Sequence, residues 1–444
     1  MSSLLHFRAP KAMLALLVLA LACTACLPGG SSSLPKPVDK TSTERRITAY
    51  MAKNPLVESL KAHLPEFEQA TGIKVDLQSL TDVQLSQKLS VQLSVASPTP
   101  DVFMIRPLEE IQLFDKNGWL AELSGYTVED PLYDVADFSR TAMDSVTIDG
   151  KLLSIPLSTE QQILYYRKDL LEQAGLEVPK TLDELAAAAA RLHRPQEGVY
   201  GFVARGQANA LVTQLSSFIY SEGGDFQQGN TATLHSAETI RGMKRYIDLL
   251  RSYGPAEVLK MSWPQAAEFF SQGKAAFFTD ASATYSLFTS GRSLYADKIG
   301  YALFPAGSAG SKPYSTTAWS ISINPKSAQP DASWAFIRWA SSKEQVLEAQ
   351  KIGNPGARNS LWTIPEGVSG FPAELIPIIN GSIRSGISHD RPKVIHVKEA
   401  RDIIGNIVVR GILGEDIQHA AERANEQFQT LIDREQRERE WAQE

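Results

Sequence analysis

From Arg46 onward the apolar and polar positions alternate between two periods. "RITAYMA" alternates as a strand does, "PLVESLKAHLPEFEQATG" carries apolar residues at helical spacing up to Gly72, and "IKVDLQSL" returns to a strand. "QLSQKLSVQLSVA" then predicts a helix, "PDVFMI" a short buried strand and "PLEEIQLFDKNGW" a further helix. Strands alternating with helices predict βαβ units and a mostly parallel sheet, so this first part is α/β. Next, "KLLSIPLSTEQQILYYRKDLLEQAG" passes from a branched and aromatic run into a short helix ending at Gly175. "PKTLDELAAAAARLH" carries a capping box, with Thr181 as N-cap and Glu184 three residues on. Helices are predicted at "NALVTQLSSFIYSEGG", "AETIRGMKRYIDLLRSYG" and "SWPQAAEFFSQGK", and strands at "AAFFTD", "IGYALFP" and "AWSISINP". "DASWAFIRWASSKEQVLEAQ" predicts one amphipathic helix and "EDIQHAAERANEQFQTLIDREQRERE" a long charged one.

Ahead of Arg46 the pattern is of another kind. Arg8 and Lys11 precede an apolar run from Met13 to Ala22, which has the layout of a secretory signal and is too short for a membrane span. The chain's 2 cysteines close this run. Ala22-Cys23 and Ala25-Cys26 each set a small residue before a cysteine and resemble the bacterial lipobox, whose thiol is acylated and becomes the mature N-terminus. Leu19 to Cys23 fits the apolar part of that pattern, whereas Cys26 directly precedes the flexible "LPGGSSSLPKP". The alternative is a disulfide or two incidental thiols. The expectation is a leader over 1–26 with a lipid on Cys23 or Cys26, then a tether over 27–45 rich in Pro, Gly, Ser and Thr.

Composition narrows the function. The 444 residues suffice for two lobes of ordinary domain size, and 43% hydrophobic with 21% charged residues is an ordinary globular balance. A net charge of -6 lacks the basic footprint of a general nucleic-acid binder. There is no G-x-S-x-G elbow, no H-E-x-x-H and no phosphate loop of the Gly-Lys-Ser type. His389 and His396, with Asp390 between, are the one histidine pair in a single neighbourhood, with loop histidines as the plainer reading than a metal site. Glu109-Glu110 and Asp183-Glu184 sit in helix first turns, where they complement the macrodipole. What remains is aromatic residues beside polar ones at strand ends, a combination that stacks on sugar C–H faces and bonds hydroxyls.

Eight segments in order, "EFEQATGIKV", "PDVFMI", "NGWLAELSGY", "IPLSTEQQILYYRKDLLEQAGLEVPKTLDEL", "FSQGKAAFFTDAS", "IGYALFPAG", "AWSISINPKS" and "ASWAFIRWASSKEQ", resemble the carbohydrate-type extracellular solute-binding proteins of bacterial ABC transporters, the family that includes maltose-binding protein. "YYRKDLLEQAGLEVPKTLDEL", "LHRPQEGVYGFVARG" and "KAAFFTDASAT" are similar to its sorbitol- and mannitol-binding branch. Phe278-Thr279-Asp280-Ala281-Ser282 departs from the branch's Trp-Ile-Asp-Ala-Thr-like segment, and "QANALV" replaces the glycines and tryptophan that often follow the Arg-Gly pair.

The resemblance implies an α/β fold of two lobes, 46–158 with 318–362 and 159–317 with 363–444, crossed near Ser158, Thr317 and Trp362 and closing on a ligand between them. It implies a monomeric receptor, lipid-anchored outside the cytoplasmic membrane, that hands a sugar, oligosaccharide or polyol to an ABC permease without a cofactor or covalent chemistry. A charged cargo such as a sugar acid or polyamine is one alternative, and a secreted glycoside hydrolase another. Carried over position by position, it places ligand contacts at Lys53 and Asn54 after the first strand and at Arg106 after "DVFMI", with Asp101 serving the fold. Glu160, counted back from Asp169, aligns with a carboxylate of the maltose-binding protein. Arg205 in "ARGQAN", Asp280 after "AAFFT", Trp319 as a stacking platform and Arg358 in "NPGARNSLW" complete the set, with Asn354 a weaker candidate. Trp119, Trp334 and Trp339 lie on amphipathic helices and are expected in the core.

Overall fold

The computed structural model describes residues 45–289, 291 and 293–443. Cys23, Cys26 and the leader lie outside the described residues, as does the tether up to residue 44.

Strand β1 (Arg46–Ala52) leads into helix α1 (Pro55–Thr71). Asn54 Oδ1 accepts the Val57 amide at 3.0 Å and Pro55 supplies a ring-fixed φ at the first helical position. Gly72 ends α1 at φ 69, a left-handed conformation that a side chain resists. Then come β2 (Lys74–Leu80), α2 (Asp82–Ser94) behind a Thr81–Gln84 capping box, β3 (Val102–Ile105) and α3 (Pro107–Lys116). The Asp101 carboxylate ties β1 to the chain after Ile323 by accepting the Thr48 amide at 2.8 Å and the Ser327 hydroxyl at 2.5 Å.

The longest strand, β4 (Ile155–Arg167), is followed by α4 (Leu182–Leu192), whose Thr181–Glu184 capping box forms as the spacing predicts. The order continues with β5 (Tyr200–Val203), α5 (Ala208–Ser221), α6 (Ala237–Tyr253), β6 (Ala275–Ala281), β7 (Ile299–Leu303) and β8 (Ser315–Ile323). The single amphipathic helix expected after β8 is two helices, α7 (Pro330–Ala340) and α8 (Lys343–Lys351). Ser342 breaks it, because its side chain caps the Gln345 amide at 3.2 Å and starts a new helix, a cap worth about 1 kcal/mol. Helices α9 (Val397–Ile412) and α10 (Ile417–Gln443) end the chain.

The sheet runs β2-β1-β3-β8-β4-β6-β5, with β7 also on β4. It is mixed rather than mostly parallel. β1 pairs β2 and β3 in parallel, and β6 pairs β5 in parallel, but β8 is antiparallel to both β3 and β4, and β6 and β7 are antiparallel to β4. β4 and β8 are the physical reason: each is long enough to pair with neighbours at both ends, and they enter the sheet from opposite directions.

Buried apolar side chains gather in three clusters. The first draws on residues from Ile47 to Leu157 and from Ile321 to Ala357, including Ile111 and Phe114 of α3 and Trp334, with Trp119 and Trp339 packed against it. The second spans Leu164 to Phe304 and Val394 to Ile432, and the third joins Ile163 and Tyr165 to Phe270, Phe278, Trp362 and Phe371. β4 is threaded through all three: Ile155 and Leu157 belong to the first, Leu164 to the second, and Ile163 and Tyr165 to the third. Of its thirteen positions only Glu160 and Tyr166 escape full burial.

Candidate functional site

A cavity of about 480 Å³ opens where β4 and β8 pass from the first core toward the other two, and Arg106, Glu160, Arg205, Asp280 and Trp319 line it. Each lies on a strand or within two residues after one. Arg106 follows β3 and precedes α3, Arg205 follows β5, Asp280 is near the end of β6, and Glu160 and Trp319 lie on the central pair β4 and β8.

Arg205 and Asp280 form a bidentate pair. Nε donates to Oδ2 at 2.9 Å and Nη2 to Oδ1 at 2.6 Å. Asp280 Oδ1 also accepts the Ala281 amide at 2.7 Å, and Tyr246 Oη donates to the Arg205 carbonyl at 2.6 Å. The fork is therefore held at both ends, and the Asp280 carboxylate raises the Arg205 pKa against the opposing effect of burial.

Glu160 is half-buried and makes no ion pair among the described residues. Burial, with the Asp390 carboxylate adding to it, pushes its carboxyl up to about 7; Arg205 and Arg391 act the other way. Its register partner across β4 and β8 is Thr316, which faces the same cavity. Thr316 Oγ1 is buried with no hydrogen-bond partner among the described residues. Neighbouring side chains thus offer a carboxyl and a hydroxyl with bonding capacity to spare.

Trp319 is half-buried, and the Arg106 guanidinium stands 6.0 Å from its ring centroid. Glu110 faces Arg106 at 3.5 Å and accepts the Arg106 amide at 2.8 Å, so α3 is capped by a carboxylate from its own first turn.

Three selected residues stand apart. Lys53 is exposed, and Asn54 spends its side chain on capping α1; neither lines the cavity. Arg358 is 1% exposed inside the first core. Its guanidinium donates to Ser341 O at 3.0 and 3.1 Å, Tyr133 O at 3.0 Å and Asp134 O at 2.7 Å, and lies 3.9 Å from the Phe138 ring centroid. With every nitrogen engaged by backbone carbonyls, it is an internal tie. The histidine pair also separates: His389 Nε2 is 3.2 Å from Asp225 and His396 Nδ1 is 2.9 Å from Glu435.

The structure adds residues that the sequence reading passed over or assigned otherwise. Glu109, read as a macrodipole partner, reaches across the cavity to Arg391 and Arg401, the latter at 2.7 Å. Asp390 is fully buried and chelated by Arg391, which holds its carboxyl down at about 2. Arg391 and Arg401 arrive from the stretch before α9 and from α9 itself, nearly two hundred residues from their partner Thr213. No local motif marks such a meeting.

The family described as bacterial extracellular solute-binding protein matches residues 53–347. A mannitol-binding protein of Pseudomonas aeruginosa is 28% identical over 352 residues, covering 76% of this chain and 79% of that protein. A solute-binding protein of Agrobacterium radiobacter solved in complex with ribitol superposes with a TM-score of 0.75 at 25% identity, covering 87% of this chain and 98% of that one. Another, from Agrobacterium vitis with bound D-mannitol, gives 0.69 at 26% identity, covering 88% and 98%.

Proposed function

The chain belongs to the bacterial extracellular solute-binding proteins, and from that premise we propose that it is the receptor of an ABC importer, taking a polyol or sugar into the cavity between β3, β4, β6 and β8. The observation that carries this reading is the convergence of Glu160, Asp280, Arg205 and Trp319 on one cavity from separate strands. An aromatic face covers C–H groups, and an arginine–carboxylate fork with an uncommitted carboxyl beside it bonds hydroxyls. The relatives named above bind mannitol or hold ribitol and D-mannitol, which supports an acyclic polyol.

Binding proceeds by closure of two lobes, 46–158 with 318–362 and 159–317 with 363–444. The division is supported by the separate first core and by β4 and β8 running between it and the others. A ligand favours closure only through contacts that differ between the open and closed states, so Trp319 and Arg106 on one side and Arg205 and Asp280 on the other must act together. No covalent step is assigned to the cavity. Thermal shift of the purified protein with D-mannitol, ribitol, D-sorbitol and maltose tests the reading, since a ligand of the folded state raises the melting temperature. A shift lost in Glu160→Ala supports it; silence across all four, with turnover of a chromogenic glycoside, would replace the receptor by a hydrolase.

We also place the protein outside the cytoplasmic membrane as a monomer held by a lipid on Cys23 or Cys26. No described helix is long and apolar enough to cross a membrane. Replacing both cysteines by Ser is expected to release the protein from the membrane fraction, and its persistence there would count against the anchor.

A further inference from the structure

Arg391 and Arg401 form a socket that is complete without the first core. Thr213 Oγ1, on α5, accepts Nη2 of both at 3.3 Å, and the Asn209 carbonyl accepts Arg401 Nε at 2.9 Å. Asp390 takes Arg391 Nε at 2.6 Å and Nη2 at 2.5 Å. Every holding group comes from the side of the second core, and the two Nη1 atoms are left pointing at the cavity. One acceptor fills them: Glu109 Oε1, carried on α3 from the first core, 2.7 Å from Arg401 Nη1 and in contact with Arg391 Nη1.

Within the socket itself the ion pairing is completed by Glu109. Asp390 neutralises Arg391, but Arg401 has no carboxylate partner other than Glu109 among the described residues. The remaining cations of the cavity are also matched within the chain, Arg205 by Asp280 and Arg106 by Glu110. Two guanidiniums at this spacing form a carboxylate-binding site, so a ligand carboxylate has an obvious place to bind and finds it taken. A carboxylate tethered on α3 acts at an effective concentration of the order of millimolar or above, which a free acid must exceed.

We propose that Glu109 is the specificity residue of this receptor: an internal carboxylate that occupies the Arg391–Arg401 socket, keeps sugar acids out and confines the cavity to uncharged hydroxylated ligands. The ligand class rests on the receptor reading above; the occupied socket does not. Glu109→Gln leaves the helix and the shape of the cavity in place while removing the charge that holds the socket, so that only a neutral amide oxygen faces the two Nη1 donors and a ligand carboxylate can displace it.

The test is calorimetric titration of wild type and Glu109→Gln at pH 7.5 with D-sorbitol and with D-gluconate, which differ at one terminal carbon. Wild type is expected to bind gluconate at least about a hundredfold more weakly than sorbitol, and Glu109→Gln to gain about tenfold or more for gluconate with a smaller change for sorbitol. Glu438→Gln is the control, because it breaks the Lys116–Glu438 pair between α3 and α10, outside the cavity. A folded Glu109→Gln with no gain for gluconate would overturn the proposal, and so would an equal gain in Glu438→Gln, since loosening of the two cores would then be the cause. If wild type binds neither compound while Glu109→Gln binds gluconate, the socket stands and the polyol reading falls.

Discussion

The cavity has two walls that are held differently. On the first-core side, the Arg106 side chain is 37% exposed, its partner Glu110 is 3.5 Å away, and Trp319 is half-buried above it. On the other side, Arg205 is 14% exposed, Asp280 1%, and Arg391 and Arg401 11% and 8%, each fixed by two or more hydrogen bonds. The second wall has already met the entropic cost of ordering its long side chains during folding, so in the proposed receptor it is set to orient hydroxyls when a ligand arrives. Arg106 and Trp319 keep freedom that, in the proposed receptor, they lose when the cavity closes over a ligand. Rigidity on one side and adaptability on the other suits a closing receptor, because the ordering of the second wall is then a cost that binding does not have to meet.

The comparison breaks most visibly at Asp280. Asp280→Ala leaves Arg205 charged in the wall without its fork, and removing one partner of a buried pair typically costs about 3–5 kcal/mol. The expected result is a melting temperature lowered by several degrees together with lost ligand binding; an unchanged melting temperature would mean that the second wall is not pre-assembled.

Next in size is a pH effect at Glu160. Its folded pKa, about 7, lies above the unfolded carboxyl value, so the folded state retains a proton that the unfolded chain has released. Stability from this group is therefore present at low pH and lost as pH rises from about 4.5 through 7, by an amount on the order of 2 kcal/mol. Denaturant melts of wild type and Glu160→Gln between pH 5 and 8 should diverge by that amount, and parallel curves would show that Glu160 is solvated like a surface carboxylate.

Trp319→Ala sharpens the contrast from the adaptable side. Loss of the aromatic face is expected to weaken ligand binding by about 1–2 kcal/mol, roughly five- to thirtyfold, while the unfolding midpoint moves little. Arg106→Ala should have the smallest effect on stability, within about 1 kcal/mol, because its guanidinium is partly solvated and Glu110 keeps its hydrogen bond to the residue 106 amide. A loss comparable with that of Asp280→Ala would erase the distinction between the walls.

Much of this architecture was legible locally. Thr181 and Glu184 specify a capping box within four residues, Gly72 and Gly175 end their helices in the left-handed region, and the alternation of strand and helix marks the α/β class. These features depend on neighbours in the chain, whose spacing the sequence states outright. Arg205 and Asp280 were legible one step further, as polar residues at or beside strand ends, and Trp319 through a segment that resembles the family. The same reasoning selected Arg358, and there it failed: nothing in "NPGARNSLW" shows that the backbone carbonyls of Tyr133, Asp134 and Ser341 converge on that guanidinium.

What the sequence determined by itself is the succession of elements and the polar groups placed at their ends, since backbone hydrogen bonding and side-chain period act over a few residues. What only the tertiary structure decided is which of those groups meet. Glu109 and Arg401 lie 292 residues apart and come within 2.7 Å because β4 and β8 bring α3 to the edge of the second core. Charge attraction is the same wherever the partners sit in the chain, so it acquires a direction only after the apolar cores have set the distances.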